Sequence, residues 1–199
     1  MNKQLNSFNQ NKELNAAVFA SGNGTNFEAI MKAKLPINIG LLVCDHPNAY
    51  VIKRAEKYHV PVLISEVKKG ISKKEREQNI LRCLKANDIS TIFLAGYMRI
   101  VGPTLLNAFP KRILNIHPAL LPNFPGKQGI LDAYNANVDV TGVTIHYVDA
   151  GVDTGKIIAQ AKVKRYPKDS LKDLENRIHH VEHQLYPNTI HELINKGVL

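Results

Sequence analysis

Leu14 to Ala33 reads LNAAVFASGNGTNFEAIMKA, and its reading decides the fold. Leu14 to Ala20 is a short apolar run of the kind a buried strand needs. Ser21 to Asn26 (SGNGTN) sets two glycines among small polar residues. Phe27, Ile30 and Met31 then recur at helical spacing. Strand, tight turn and helix in direct succession form the opening unit of an α/β sheet. Gly22 and Gly24 let the turn bend sharply, while Ser21, Thr25 and Asn26 supply side-chain oxygens. With the free N–H groups of the helix start, Gly22, Asn23, Gly24, Thr25 and Asn26 make a candidate cradle for a phosphate. An ordinary strand-to-helix connection has the same local pattern. The turn is not the dinucleotide fingerprint, because Phe27 stands where the third glycine belongs.

Outward from this unit the alternation continues. Strands are expected at Ile37–Val43, Val60–Ile64, Ile89–Ala95 and Arg112–Ile116, and helices at Tyr50–His59, Lys73–Asn87 and Pro103–Ala108. Such alternation predicts a doubly wound, mainly parallel twisted sheet with helices on both faces. After Gly126 the pattern changes. Lys127–Asn137 reads as helix, and Val140–Val148 and Lys156–Val163 as two strands. The short link Asp149–Gly155 (DAGVDTG) makes that pair antiparallel. Ser170–Lys196 reads as a long helix that Pro187 should break or kink. Residues 1–13 form a polar lead-in, and 14–199 are expected to be one domain.

The stretch Asn115 to Gly126, NIHPALLPNFPG, follows the fourth of these strands. Pro118, Pro122 and Pro125 restrict it to an ordered loop, which is read as holding the amide of Asn115 and the imidazole of His117 still. Polar groups just past strand ends are where open α/β sheets place their chemistry. Asn115, His117 and an aspartate from DAGVDTG suit acyl transfer to an amine. The amide donates to a developing oxyanion, the imidazole serves as acid or second donor, and the carboxylate holds the imidazole charged or takes the amine proton. No serine nucleophile is needed if the acceptor brings its own amine.

The composition narrows the classes. At 44% hydrophobic and 22% charged, the 199 residues are ordinary for a globular chain. No run reaches membrane-helix length and no secretory signal core is present, so a cytoplasmic protein is expected. Cys44 and Cys83 form no CxxC, and Cys44 beside His46 is a poor basis for a catalytic pair. The formal charge of +9 favours an anionic ligand. It is spread out, and aromatics are not interleaved with the basic residues, so nucleic acid is not the expected partner.

These blocks together resemble the phosphoribosylglycinamide formyltransferases, folate-dependent enzymes of purine synthesis. NIHPALLPNFPG is similar to their signature loop and SGNGTN to their phosphate turn. LAGYMRI (Leu94–Ile100) is similar to their folate-side segment, VTGVTIHYVDAGVDTGKIIAQ (Val140–Gln160) to their catalytic aspartate region, and HHVEHQLYP (His179–Pro187) to their C-terminal helix. The resemblance implies that Asn115, His117 and Asp153 are catalytic and that Gly22–Asn26 hold the ribosyl phosphate. It implies formyl-folate contacts from Met98, Arg99, Ile100, Val101, Val148, Asp149, Asn115 and Asp153, with Lys73 or its neighbour Lys74 nearby. It also implies 10-formyltetrahydrofolate as a consumed cosubstrate, small-molecule partners, no bound metal, and a monomer or homodimer. Lys127-Gln128-Gly129 departs from the histidine-containing stretch of many members.

Rival readings are open at this level. A 10-formyltetrahydrofolate hydrolase or another folate-dependent formyltransferase would share much of the pattern, though such relatives usually carry a further domain, and the glycine turn argues for a phosphate-bearing acceptor. HHVEH also fits an inverted zinc-protease motif, with no third ligand evident. His146 reads as a packed sheet histidine or a support near the folate loop, Tyr97 as packing, and Arg177 and Glu182 as surface or helix-pairing residues.

Overall fold

The computed structural model describes residues 14–199; the expected lead-in over 1–13 lies outside them. One sheet contains β1 (Asn15–Ala20), β2 (Asn38–Cys44), β3 (Val62–Ile64), β4 (Thr91–Leu94), β5 (Ile113–His117), β6 (Val140–Tyr147) and β7 (Ile157–Lys164). Their spatial order is β3-β2-β1-β4-β5-β6-β7. The helices are α1 (Thr25–Lys32), α2 (Val51–Lys57), α3 (Lys73–Ala86), α4 (Pro103–Ala108), α5 (Gly129–Asn135) and α6 (Leu171–Asn195). Element ends lie within two residues of the sequence reading.

The chain steps outward from β1 to β2 and β3, then crosses back to β4 and β5, all in parallel. The strand order therefore reverses between β1 and β4, the place where such sheets open a crevice. β6 and β7 pair antiparallel as expected, but the reversal begins one strand earlier, at β5 and β6. The link between β5 and β6 leaves and re-enters at the same edge, since Thr144 of β6 lies opposite His117, the last residue of β5.

Both faces of the inner strands are covered, which is why they read as continuous apolar runs. In β1, Ala16, Val18 and Ala20 face α1, α2 and α6 through Phe27, Ile30, Val51, Ala55, Ile178 and Ile190. Ala17 and Phe19 face α3 and α4 through Ile80, Leu84 and Leu105.

Helix α6 starts with a capping box between Ser170 and Asp173. Arg177 is a surface residue, forked onto Asp169 and stacked on Tyr166. The expected break at Pro187 does not occur, and the helix runs through it. Packing on both sides of the proline holds the halves together, with Ile178 and Tyr186 before it and Ile190 and Leu193 after it all buried. The buried Tyr186 hydroxyl donates toward the carbonyls of Leu94 and Leu114, each 3.1 Å away, and its ring meets Phe93 edge-on. Tyr186→Phe keeps the ring and strands two carbonyls. It should cost about 1–3 kcal/mol of stability, read from urea unfolding; an unchanged midpoint would show the hydroxyl to be idle.

Candidate active site

Along β5, Leu114 and Ile116 join the α1/α6 core while Ile113 faces the other way. Strand alternation then puts Asn115 and His117 on the α3/α4 side of the sheet. Asn115 lies in the expected strand, and the strand runs one residue further to include His117, which was read as lying on the proline loop. Ladder pairing with β6, Asn115 opposite His146 and His117 opposite Thr144, extends the strand through them. The loop beyond is tied down by side chains as well as prolines. Thr144 Oγ1 donates to Ala119 O (2.6 Å) and accepts from Leu121 N, and Gln160 Nε2 donates to Leu121 O (2.9 Å).

Asp153 meets this pair from the β6–β7 turn. Its Oδ2 accepts from Gly126 N at 2.7 Å and lies 3.4 Å from His117 Nδ1. Its Oδ1 lies 3.4 Å from Asn115 Nδ2 and 3.5 Å from His146 Nε2. Burial alone would raise the Asp153 pKa, but the hydrogen bonds from His146 and the Gly126 N–H, with the charge of His117, outweigh it and hold the carboxyl below its usual 3.8. The reversal of β6 changes how Asp153 arrives. Tyr147 lies level with Leu114, near the start of β5, so the turn does not sit at the edge where parallel strands end. It folds back over the sheet face instead, with Asp153 in a left-handed conformation (φ 54°). Asp149 shapes this turn, its Oδ1 accepting from Gly151 N and Thr154 Oγ1.

His117 has oxygen acceptors at both ring nitrogens, Phe124 O at 2.8 Å from Nε2 and Asp153 at Nδ1. Gly129 packs over it, where an added Cβ would lie 3.1 Å from Nε2, so the departure at Lys127-Gln128-Gly129 leaves no room for a side chain there. His146 is buried, with Nδ1 2.8 Å from Tyr147 O and Nε2 3.1 Å from Asn115 Nδ2. It is a member of the cluster, and the alternation of β6 was the signal that it faces inward.

The glycine turn enters α1 with Gly24 at φ 79°, and no side chain caps the helix. A Cβ on Gly24 would lie 2.3 Å from Val51 Cγ2. Asn23 is occupied by Arg54, which donates to its carbonyl and its side-chain oxygen. The buried Asn26 donates to Glu182 Oε2 at 3.2 Å, and the same oxygen lies 2.8 Å from His179 Nδ1. Glu182 is therefore no surface residue. It sits four residues from both Ile178 and Tyr186, on the buried stripe of α6, and that spacing was legible. The HHVEH carboxylate is thus committed to Asn26 and His179; among the described residues no group of three or more His, Cys, Asp or Glu is placed to hold a metal ion.

The Glu182 hydrogen bond raises the His179 pKa above 6.5 against the effect of burial. The stabilisation from this pair is present in full below 6.5 and is lost as pH rises through the elevated folded value. His179 should therefore titrate above 6.5 by NMR and return toward it in Glu182→Gln; an identical titration in both proteins would contradict the pairing.

Met98 to Val101 follows β4. Met98 and Ile100 are exposed and Val101 is buried. Arg99 Nε donates to Asp45 Oδ2 at 2.5 Å. Lys73, at the start of α3, is half-exposed beside Glu77, and Val148 packs into the α3/α4 core. Tyr97 packs edge-on against Phe19, and burial pushes its pKa up to about 12. Cys44 is buried with its thiol donating to the His46 carbonyl rather than the imidazole, and burial raises its pKa, which removes it as a nucleophile.

The chain matches the formyl transferase family over residues 14–190. It is 48% identical over 188 residues to a phosphoribosylglycinamide formyltransferase of Bacillus subtilis (strain 168), covering 91% of this chain and 96% of that protein. A protein of the same name from Haemophilus influenzae is 35% identical, covering 87% and 84%. The crystal structure of phosphoribosylglycinamide formyltransferase from Bacillus halodurans superposes with a TM-score of 0.89 at 49% identity, over 92% of this chain and 96% of that one.

Proposed function

The chain belongs to the formyl transferase family, and on that premise we propose that it works as a phosphoribosylglycinamide formyltransferase. It transfers the formyl group of 10-formyltetrahydrofolate to the amine of glycinamide ribonucleotide, giving formylglycinamide ribonucleotide and tetrahydrofolate in purine synthesis. The observation that carries the site is the convergence of Asn115, His117 and His146 on one carboxylate, Asp153, all within 3.5 Å.

The amine attacks the formyl carbon and a C–N bond forms while the carbonyl becomes an oxyanion. The Asn115 amide donates to that oxyanion. His117, between Asp153 and Phe124, is the second donor, its Nε2–H exchanging the Phe124 carbonyl for the oxyanion. Asp153 orients the imidazole and takes the proton the amine sheds. The oxyanion then collapses, the bond from the formyl carbon to the folate nitrogen breaks, and that nitrogen receives the proton that Asp153 took from the amine.

Gly22 to Asn26 serve the ribosyl phosphate, since the first N–H groups of α1 have no side-chain cap. They lie two strand spacings from β5, about 10 Å, which leaves the amine end of the acceptor near Asn115. Met98 to Val101, Val148 and Asp149, with Lys73 at the rim, serve the formyl donor. The donor is spent as a cosubstrate, and the reaction belongs to the cytoplasm. Among the described residues no helix is long and apolar enough to cross a membrane.

A spectrophotometric assay of the donor, with and without glycinamide ribonucleotide, tests the reading. Turnover should require the ribonucleotide; equal turnover in its absence would replace transfer with hydrolysis.

A further inference from the structure

The stretch from Ala95 to Gly102 joins β4 to α4 and lies in neither. Three side chains from three other elements hold it. Met98 N donates to Ser21 Oγ at 2.8 Å, at the end of β1. Arg99 Nε donates to Asp45 Oδ2 at 2.5 Å, at the end of β2. Gly102 N donates to Glu77 Oε1 at 2.6 Å, on α3. Between these grips Met98 and Ile100 point apolar side chains outward, 45% and 61% exposed.

Asp45 and Glu77 are only 2% and 3% exposed. A buried carboxylate is costly, and a well-packed apolar residue of similar size generally stabilises a fold as well or better. Neither acid belongs to the two apolar clusters. Asp45 Oδ1 has no hydrogen-bond partner; apart from the Ser21 hydroxyl and the partly exposed His46 and Lys73, each at 3.6 Å or more, what the other oxygens of the two acids hold is this one segment. Gly102 is shaped to the same contact, since a Cβ there would lie 2.7 Å and 2.8 Å from the Glu77 oxygens.

We infer that Asp45 and Glu77 are positioning residues for the formyl donor: they set the shape of the Met98–Val101 segment from beneath, Asp45 through Arg99 and Glu77 through the Gly102 N–H. The inference rests on the reading of that segment as the donor side. Ser21 adds a consequence. It grips Met98 from the first residue of the glycine turn, so the donor segment is registered against the turn assigned to the acceptor's phosphate.

The test is steady-state kinetics with each substrate varied in turn, for Asp45→Asn, Glu77→Gln, Arg99→Gln and Ile100→Ala. Asp45→Asn and Glu77→Gln should raise the donor KM by about 10–100-fold, the loss of one charge-assisted hydrogen bond, while kcat and the ribonucleotide KM stay within about twofold, the pattern of lost ground-state binding. Asp45→Asn combined with Arg99→Gln should be no worse than the more severe single variant, because both remove one contact. Multiplicative effects in the double variant, or equal damage to the ribonucleotide KM, would overturn the inference. So would a donor KM that moves in Ile100→Ala but not in Asp45→Asn or Glu77→Gln, and that outcome leaves the donor-side reading standing. A donor KM unmoved in all four variants would overturn that reading and the inference with it. Should Asp45→Asn not fold, Glu77→Gln and Arg99→Gln carry the same test, the latter from a side chain that is one-third exposed.

Discussion

Asp153→Asn should lower kcat by about 10²–10⁴-fold, the range for a positioned acid–base group. The substitution keeps the shape and leaves an oxygen for the Gly126 N–H. It removes the charge that faces His117 at 3.4 Å and His146 at 3.5 Å. The two imidazoles then lose the carboxylate between them, and the amine proton loses its acceptor. A pH series gives an independent reading. The folded Asp153 pKa is depressed below 3.8, so the stability it adds is present in full above that value and is lost as pH falls through the folded value. Wild type should lose thermal stability over that acid range, and Asp153→Asn should lose less. A kcat within tenfold of wild type would remove Asp153 from the chemistry.

Asn115→Ala should lower kcat by about 10²–10³-fold, the cost of one oxyanion donor, with the ribonucleotide KM nearly unchanged because the glycine turn is two strands away. The same amide also reaches His146 Nε2 at 3.1 Å and Asp153 Oδ1 at 3.4 Å. Asn115 and Asp153 therefore act as one unit, and the double variant should be far less impaired than the product of the two single effects. Wild-type-like turnover in Asn115→Ala, or strict multiplicativity with Asp153→Asn, would contradict the shared cluster.

The parallel half of the sheet was legible because its signals are local. Each apolar run between β1 and β5 is bounded by turn residues, and each helix carries its own periodicity. The antiparallel joint of β5 and β6 was not legible, because it depends on where the link re-enters the sheet and not on either strand's pattern. Missing it ended the strand at Ile116 and put His117 on a loop, when ladder pairing with β6 makes it a strand residue. The candidate trio itself was legible as residue types in family order. Its supports were harder to see. Thr144 and Gln160 look like ordinary strand residues until the register sets them against the loop. Asp45 carries no motif, and its value lies in a contact 54 positions away. Glu182 is the helix-pairing residue of its two readings, tying α6 to Asn26 of α1, and His146 is the packed sheet histidine of its two readings; periodicity of four and of two points each of them inward.

The bond between Asn26 and Glu182 spans 156 positions, and Tyr186 caps two strand carbonyls from the same helix. A ribosome adds about 5–20 residues per second, so the turn made first waits on the order of 10–30 s for its partner. During that interval β1, β4 and β5 exist without the helix that closes their shared face. A nascent or truncated chain lacking α6 thus leaves Asn26 without Glu182 and the Leu94 and Leu114 carbonyls without the Tyr186 hydroxyl.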